Sequence, residues 1–133
     1  MIKEILDKYE NLPFKWGQHD CCLFSANVVK ELTDYDYAKE FRGKYSNKKE
    51  AFNLVKTLYN CEDLKELVTK LTNQDIRQDW DNALPGDFVA YFFKDEYVIG
   101  INYGDRSYFV TTEGKKFLKV PNRNCEGYWK VTE

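Results

Sequence analysis

Apolar residues recur at helical spacing through the first half of the chain and at every second position through its last third. Ile2, Ile5, Leu6 and Tyr9 form one face of a first helix, and Pro13 closes it. A second helix is predicted over residues 20 to about 32, with Phe24, Val28 and Leu32 on one face and Thr33-Asp34-Tyr35-Asp36 as its exit turn. Residues 36–45 read as a connector packed by its aromatics. A third helix follows over about 48–59, with Ala51, Phe52, Val55 and Leu58 as its core stripe. Leu64, Leu67, Val68 and Leu71 mark a short fourth helix starting near Asp63.

From Pro85 the pattern changes to short β-rich runs at 87–93, 97–103, 107–112, 117–120 and 127–131. Lys94-Asp95-Glu96, Gly104-Asp105-Arg106 and Glu113-Gly114-Lys115 supply turns between them. Helices first and strands afterwards is the segregated pattern of an α+β domain, N-terminal helices packed on a C-terminal antiparallel meander.

The 133 residues suit one domain, 1–133, with a core of its own. Hydrophobic residues at 43% and aromatics at 17% argue against disorder and for an interior rich in Tyr and Phe. Twenty basic against 22 acidic side chains, without long runs of one sign, give no electrostatic footprint for nucleic acid. The first residues mix acids into an apolar pattern, which fits no secretory or transit peptide, and no stretch is apolar for the roughly 18 residues of a membrane span. A protein bound to neither nucleic acid nor membrane, synthesised in a reducing compartment, is expected. Four cysteines, two of them adjacent at Cys21 and Cys22 and two alone at Cys61 and Cys125, form neither a disulfide framework nor a zinc ribbon, so free thiols are expected.

Chemistry concentrates in Trp16-Gly17-Gln18-His19-Asp20-Cys21-Cys22, which contains the only histidine. Asp20 is expected to be the N-cap of the second helix and Cys21 its first residue, where the helix dipole favours a thiolate. Asp20 opposes this by adding negative charge. The alternative is that both cysteines are small buried hydrophobes. A nucleophilic cysteine needs a base, and His19, two residues away, reaches the thiol only if the chain folds back at the cap; otherwise it holds the loop. Asp20 serves as a base only if it turns away from capping.

Asp20-Cys21 before a helix, then Pro85-Gly86-Asp87-Phe88-Val89 leading into Gly100-Ile101, resembles the NlpC-type cell-wall peptidases of the papain-like superfamily. The resemblance is closer to a branch of that superfamily found among tail-module proteins of bacteriophages and prophages. It rests on Trp16-Gly17-Gln18-His19-Asp20-Cys21, Phe41-Arg42-Gly43-Lys44-Tyr45, Pro85-Gly86-Asp87 and Tyr128-Trp129-Lys130-Val131, in that order. It implies an α+β papain-like fold with Cys21 at the nucleophile position. The histidine of the parent family falls near Val98, and valine cannot take a proton.

The resemblance therefore implies a tail-associated, degenerate peptidase with a structural, assembly or binding role. Its partners would be phage tail proteins or peptidoglycan peptides, and it would reside in the bacterial host cytoplasm during synthesis and then in the virion tail. An active cysteine peptidase or amidase and an inhibitor that binds a host partner are the alternatives. Cys21 and His19 are the candidate catalytic residues, Trp16 and Asp20 the candidate binding residues, and no cofactor or metal is expected. Oligomeric state is left open.

Four further features have structural readings beside any functional one. Trp16, Trp80 and Trp129 either line a groove or pack in core and rim. Arg42 pairs with an acid or holds the connector, and Asp87 caps the turn after Gly86. Asp79, Asp81 and Asp87 lack the spacing of a calcium loop.

Overall fold

The computed structural model describes residues 1–112 and 116–132. Four helices, α1 (Ile2–Glu10), α2 (Leu23–Thr33), α3 (Lys48–Tyr59) and α4 (Leu64–Thr72), precede five strands, β1 (Phe88–Phe93), β2 (Glu96–Tyr103), β3 (Arg106–Phe109), β4 (Leu118–Pro121) and β5 (Gly127–Trp129). The architecture is α+β, as the change of period predicts. Among the described residues no helix is long and apolar enough to cross a membrane, and all four cysteines are free.

Local chemistry sets the helix limits. Asn47 and Asp63 cap α3 and α4, accepting the Glu50 and Glu66 amides at 2.9 and 2.8 Å. Asp34, Asn60 and Asn73 end α2, α3 and α4 in the left-handed conformation. α1 ends at Glu10, ahead of Pro13. Two of the predicted stripes need correction. Leu58 is 43% exposed, so α3 buries only Ala51 and Val55 fully. α2 buries Leu23, Phe24, Ser25, Ala26, Val28 and Val29, which makes it the central helix instead of a one-sided one.

The strands form one antiparallel sheet in the order β4-β3-β2-β1-β5. The expected meander holds for β1 to β4. β5 departs from it, crossing back to pair with the free edge of β1 through Phe88↔Trp129 and Ala90↔Gly127. The sheet is covered on both faces. Phe88, Ala90, Ile99, Ile101 and Trp129 join the helices in the main core, whereas Val89, Val98, Phe109, Val120 and Tyr128 form a second cluster with Trp80 against it. Alternate residues of β1 and β2 thus belong to opposite faces, which is why both strands are so apolar. The predicted turn Glu113-Gly114-Lys115 lies outside the described residues.

Two buried carboxylates hold the chain's distant segments together. Asp87 follows the Pro85-Gly86 turn, in which Gly86 has φ +101° and the Asp87 amide donates to Leu84 O at 3.0 Å. Its Oδ2 accepts the Leu84 amide at 2.8 Å, the turn-capping role expected from the sequence. Its Oδ1 accepts the Val131 and Thr132 amides, each at 2.9 Å, and the Thr132 hydroxyl at 2.8 Å. The C-terminal segment is thereby fixed beside the start of the sheet. Asp20 does the same for the segments around the start of α2.

Candidate functional site

The segment before α2 folds as a tight loop, closed by paired backbone bonds between Lys15 and His19 at 2.8 Å each. Asp20 lies at its centre, fully buried. One carboxylate oxygen accepts the Cys22 and Leu23 amides at 3.0 and 2.9 Å, which satisfies first-turn donors of α2. The other accepts the Gly17 amide at 2.9 Å and the Tyr45 hydroxyl at 2.6 Å. The capping function expected of Asp20 is therefore present, and the same carboxylate also ties in the connector. With both oxygens so occupied, Asp20 is not turned away to act as a base.

The start of α2 differs from the sequence expectation. The helix begins at Leu23 with Cys22 at the cap position, and Cys21 lies in the turn before it. The Phe24 amide does reach Asp20 O at 3.2 Å, but the next carbonyl leaves the helix: Cys21 O accepts the Ile99 amide of β2 at 3.2 Å. β3 pairs with β2 only from Ile101 to Tyr103, so the Ile99 amide needs another acceptor and the cysteine turn supplies it. This bond fixes Cys21 against the sheet beside Val98.

The connector completes the cradle. Its Gly43 amide donates to Gly17 O at 3.0 Å. Gly17 has φ +84°, and a Cβ there would stand 2.3 Å from Tyr45 O, so no other residue fits. Arg42 pairs with an acid, as one sequence reading had it: its Nε and one terminal nitrogen donate to the two oxygens of Asp36, both at 2.9 Å. The remaining terminal nitrogen bonds Asn27 Oδ1 on α2. These bonds hold the Asp36 carboxyl below its ordinary pKa.

Three of the four candidate site residues meet in one place. Trp16, Asp20 and Cys21 line a cavity of about 20 Å³, together with Tyr45 and residues of α3 and α4. Trp16 stands half-buried, edge-on to Phe14 and Tyr45 with centroids at 4.9 and 6.5 Å. His19 is elsewhere. It lies on the α1 side, parallel to Tyr9 at 5.8 Å and edge-on to Phe24 at 6.1 Å, and it lines a separate pocket with Phe14 and Phe117. The structure does not bring the candidate pair Cys21 and His19 together. Among the described residues, His19 Nδ1 has no hydrogen-bond partner, and burial lowers the pKa of the ring while Asp20 works in the opposite direction.

The expected dipole-stabilised thiolate is not found either. Burial, and then the charge of Asp20, push the Cys21 thiol up to about 12. Cys22 is raised for the same two reasons. Displacing Cys21 from the first helical turn removes the geometry on which the activating dipole depends. Two further charges act on Cys21: Glu96, which also raises its pKa, and Lys48, which lowers it.

The remaining candidates are accounted for by packing. Asp79 is held by Arg77 at 2.6 Å, by Asn82 at 2.8 Å and by Tyr128 at 3.0 Å, and Asp87 forms the C-terminal clamp. Among the described residues no cluster of His, Cys, Asp and Glu suits a metal. Trp129 is fully buried with its indole N–H on Thr69 at 3.3 Å, and Trp80 packs on Tyr128 at 5.2 Å. Sequence reasoning missed Tyr45, Lys48, Phe52, Leu64 and Glu96 as neighbours of the cysteine. Only Tyr45, in the Phe41-to-Tyr45 block, carried any signal.

No curated protein and no solved structure matches this chain. A family model described as "Domain of unknown function (DUF6950)" matches residues 1–131. With nearly its whole length covered, the chain belongs to the DUF6950 family.

Proposed function

We propose that this chain is a papain-like, NlpC-type domain of a bacteriophage or prophage tail module, in which the former thiol site serves structure and binding instead of efficient hydrolysis. The observation that carries this reading is the separation of Cys21 from the only imidazole in the chain. His19 faces α1, and the strand position beside the Cys21–Ile99 bond is Val98, 6% exposed within an apolar cluster on which Cys21 packs. A thiol with a raised pKa and no imidazole partner is a weak nucleophile at neutral pH, and loss of one member of a catalytic unit removes most of its rate.

The four sequence blocks that carry the resemblance also pair in space. The first two meet through Asp20 and Gly17, and the last two through Asp87 and the C-terminal segment.

The reading is tested in two ways. Purified tail particles and tail-assembly complexes from the encoding phage or prophage are expected to contain the protein, and absence from both contradicts the tail assignment. Peptidoglycan digestion by the wild-type protein is expected to equal that of Cys21→Ala. Hydrolysis by the wild type that Cys21→Ala abolishes while Cys22→Ala retains would establish the second reading, an active peptidase or amidase. That reading has one observation in its favour: the cavity of Cys21 adjoins an open groove of about 670 Å³, the two sharing Phe52 and Leu64.

A further inference from the structure

α3 and the first residue of α4 separate Cys21 from that groove. Ala51, Phe52 and Val55 of α3 line the small cavity together with Cys21 and Cys22. Phe52, with Leu64 at the start of α4, also lines the groove, whose other wall is the β1–β2 hairpin with Phe92, Glu96 and Tyr97. The two spaces therefore share a wall of side chains from α3 and α4, with no sheet backbone in it.

α3 is lightly held. Only Ala51 and Val55 are buried, Phe52, Leu54 and Tyr59 are half-buried, and the remaining residues are exposed; its C-terminal end is the better anchored one, with Tyr59 stacked on Phe41 at 5.8 Å and its carbonyl accepting from Lys70 at 2.8 Å. Its first residue, Lys48, forms an ion pair with Glu96 at the start of β2, with side-chain exposures of 55% and 40%. Its last, Tyr59, donates to Glu40 of the connector. Lys48 and Glu96 both border the groove and both act electrostatically on Cys21.

We propose that α3 is a lid over Cys21 and that the Lys48–Glu96 ion pair is its latch. Displacing α3 carries Phe52 out of the shared wall and joins the cavity to the groove, giving a slot with an aromatic side and the cysteine at its inner end. An exposed ion pair is a weak restraint, so the latch sets how often the slot opens and does not seal it. Salt screens the pair and increases opening. The device does not depend on whether Cys21 is catalytic, and its test reads access to the thiol.

The test is the rate of iodoacetamide labelling of the full chain, resolved cysteine by cysteine with tandem mass spectrometry. Wild type is compared with Lys48→Gln, Glu96→Gln and the charge-swapped Lys48→Glu/Glu96→Lys protein. All changes lie on the surface, and Cys125, which lines neither the cavity nor the groove, reports general loosening. Labelling of Cys21 is expected to rise about two- to fivefold in each single variant, the range an exposed ion pair supports. The swapped protein returns towards the wild-type rate, added salt accelerates wild type, and Cys125 stays constant. An unchanged Cys21 rate in the single variants, a swap as fast as they are, or a parallel rise at Cys125 overturns the proposal.

Discussion

The residue that organises the candidate site is Asp20. Its carboxylate receives four hydrogen bonds from three segments of chain and is fully buried. Replacing it by alanine strands the Gly17, Cys22 and Leu23 amides and the Tyr45 hydroxyl. Asp20→Ala is expected to cost about 3 kcal/mol or more, and Tyr45→Phe, which removes one charge-assisted bond, about 1.5–3 kcal/mol. Urea unfolding measures both; a Tyr45→Phe protein as unstable as Asp20→Ala would show that the bonds to the backbone contribute little.

His19 gives a second prediction at this scale. Its pKa is lowered in the fold, whereas in the unfolded chain it titrates near about 6.5. As pH falls, the unfolded state therefore takes the proton first. The stability linked to His19 is complete above about pH 6.5 and drains away as pH drops through that value towards the lowered folded pKa. The wild-type advantage over His19→Gln should accordingly shrink between about pH 7.5 and pH 5. Stability curves that stay parallel over that range would show that the ring takes its proton without cost.

At the scale of elements, the C-terminal segment depends on Asp87 as α2 depends on Asp20. An asparagine can present only one carbonyl oxygen, so Asp87→Asn must abandon either the Leu84 amide or the Val131–Thr132 group. A loss of about 1–3 kcal/mol is expected, with increased amide exchange in β5 and along the β1 edge it covers. Exchange that rises uniformly over the sheet would place the weakness elsewhere. The same comparison shows what a sequence can reveal. α3 and α4 were legible because their apolar residues recur locally at helical spacing, and the Asn47 and Asp63 caps that fix their starts act within three residues. The start of α2 was not, because the Cys21 carbonyl serves an amide on β2 far along the chain. The crossing of β5 to the free edge of β1 was equally hidden. Tyr128 and Trp129 announce a strand buried on both faces, but nothing near them names its neighbour. Leu58 fits the apolar period of α3 yet faces outwards, since period alone cannot tell where the covering surface ends.

At the scale of the whole molecule, two aspartate-centred clamps join segments far apart in sequence. One fixes the cysteine turn to the connector, and the other fixes the chain's end to the first strand. At the head of α2 and against the sheet lies the Cys21 thiol, whose pKa burial raises. Trp16, Asp20 and Cys21 were legible as neighbours because they are near in sequence and converge on one turn. The separation of His19 was one of the two sequence readings, and the tight loop from Lys15 to His19 decides it by turning the ring into a different pocket.

The most direct test of this account is the pH dependence of Cys21 alkylation in the wild-type protein, followed by mass spectrometry so that Cys22 does not contribute. A buried thiol pushed up to about 12 predicts slow labelling that keeps rising with pH and reaches no plateau near the free-cysteine value of about 8.5. Fast labelling with a midpoint well below about 8.5 would reveal an activated thiolate and contradict the account.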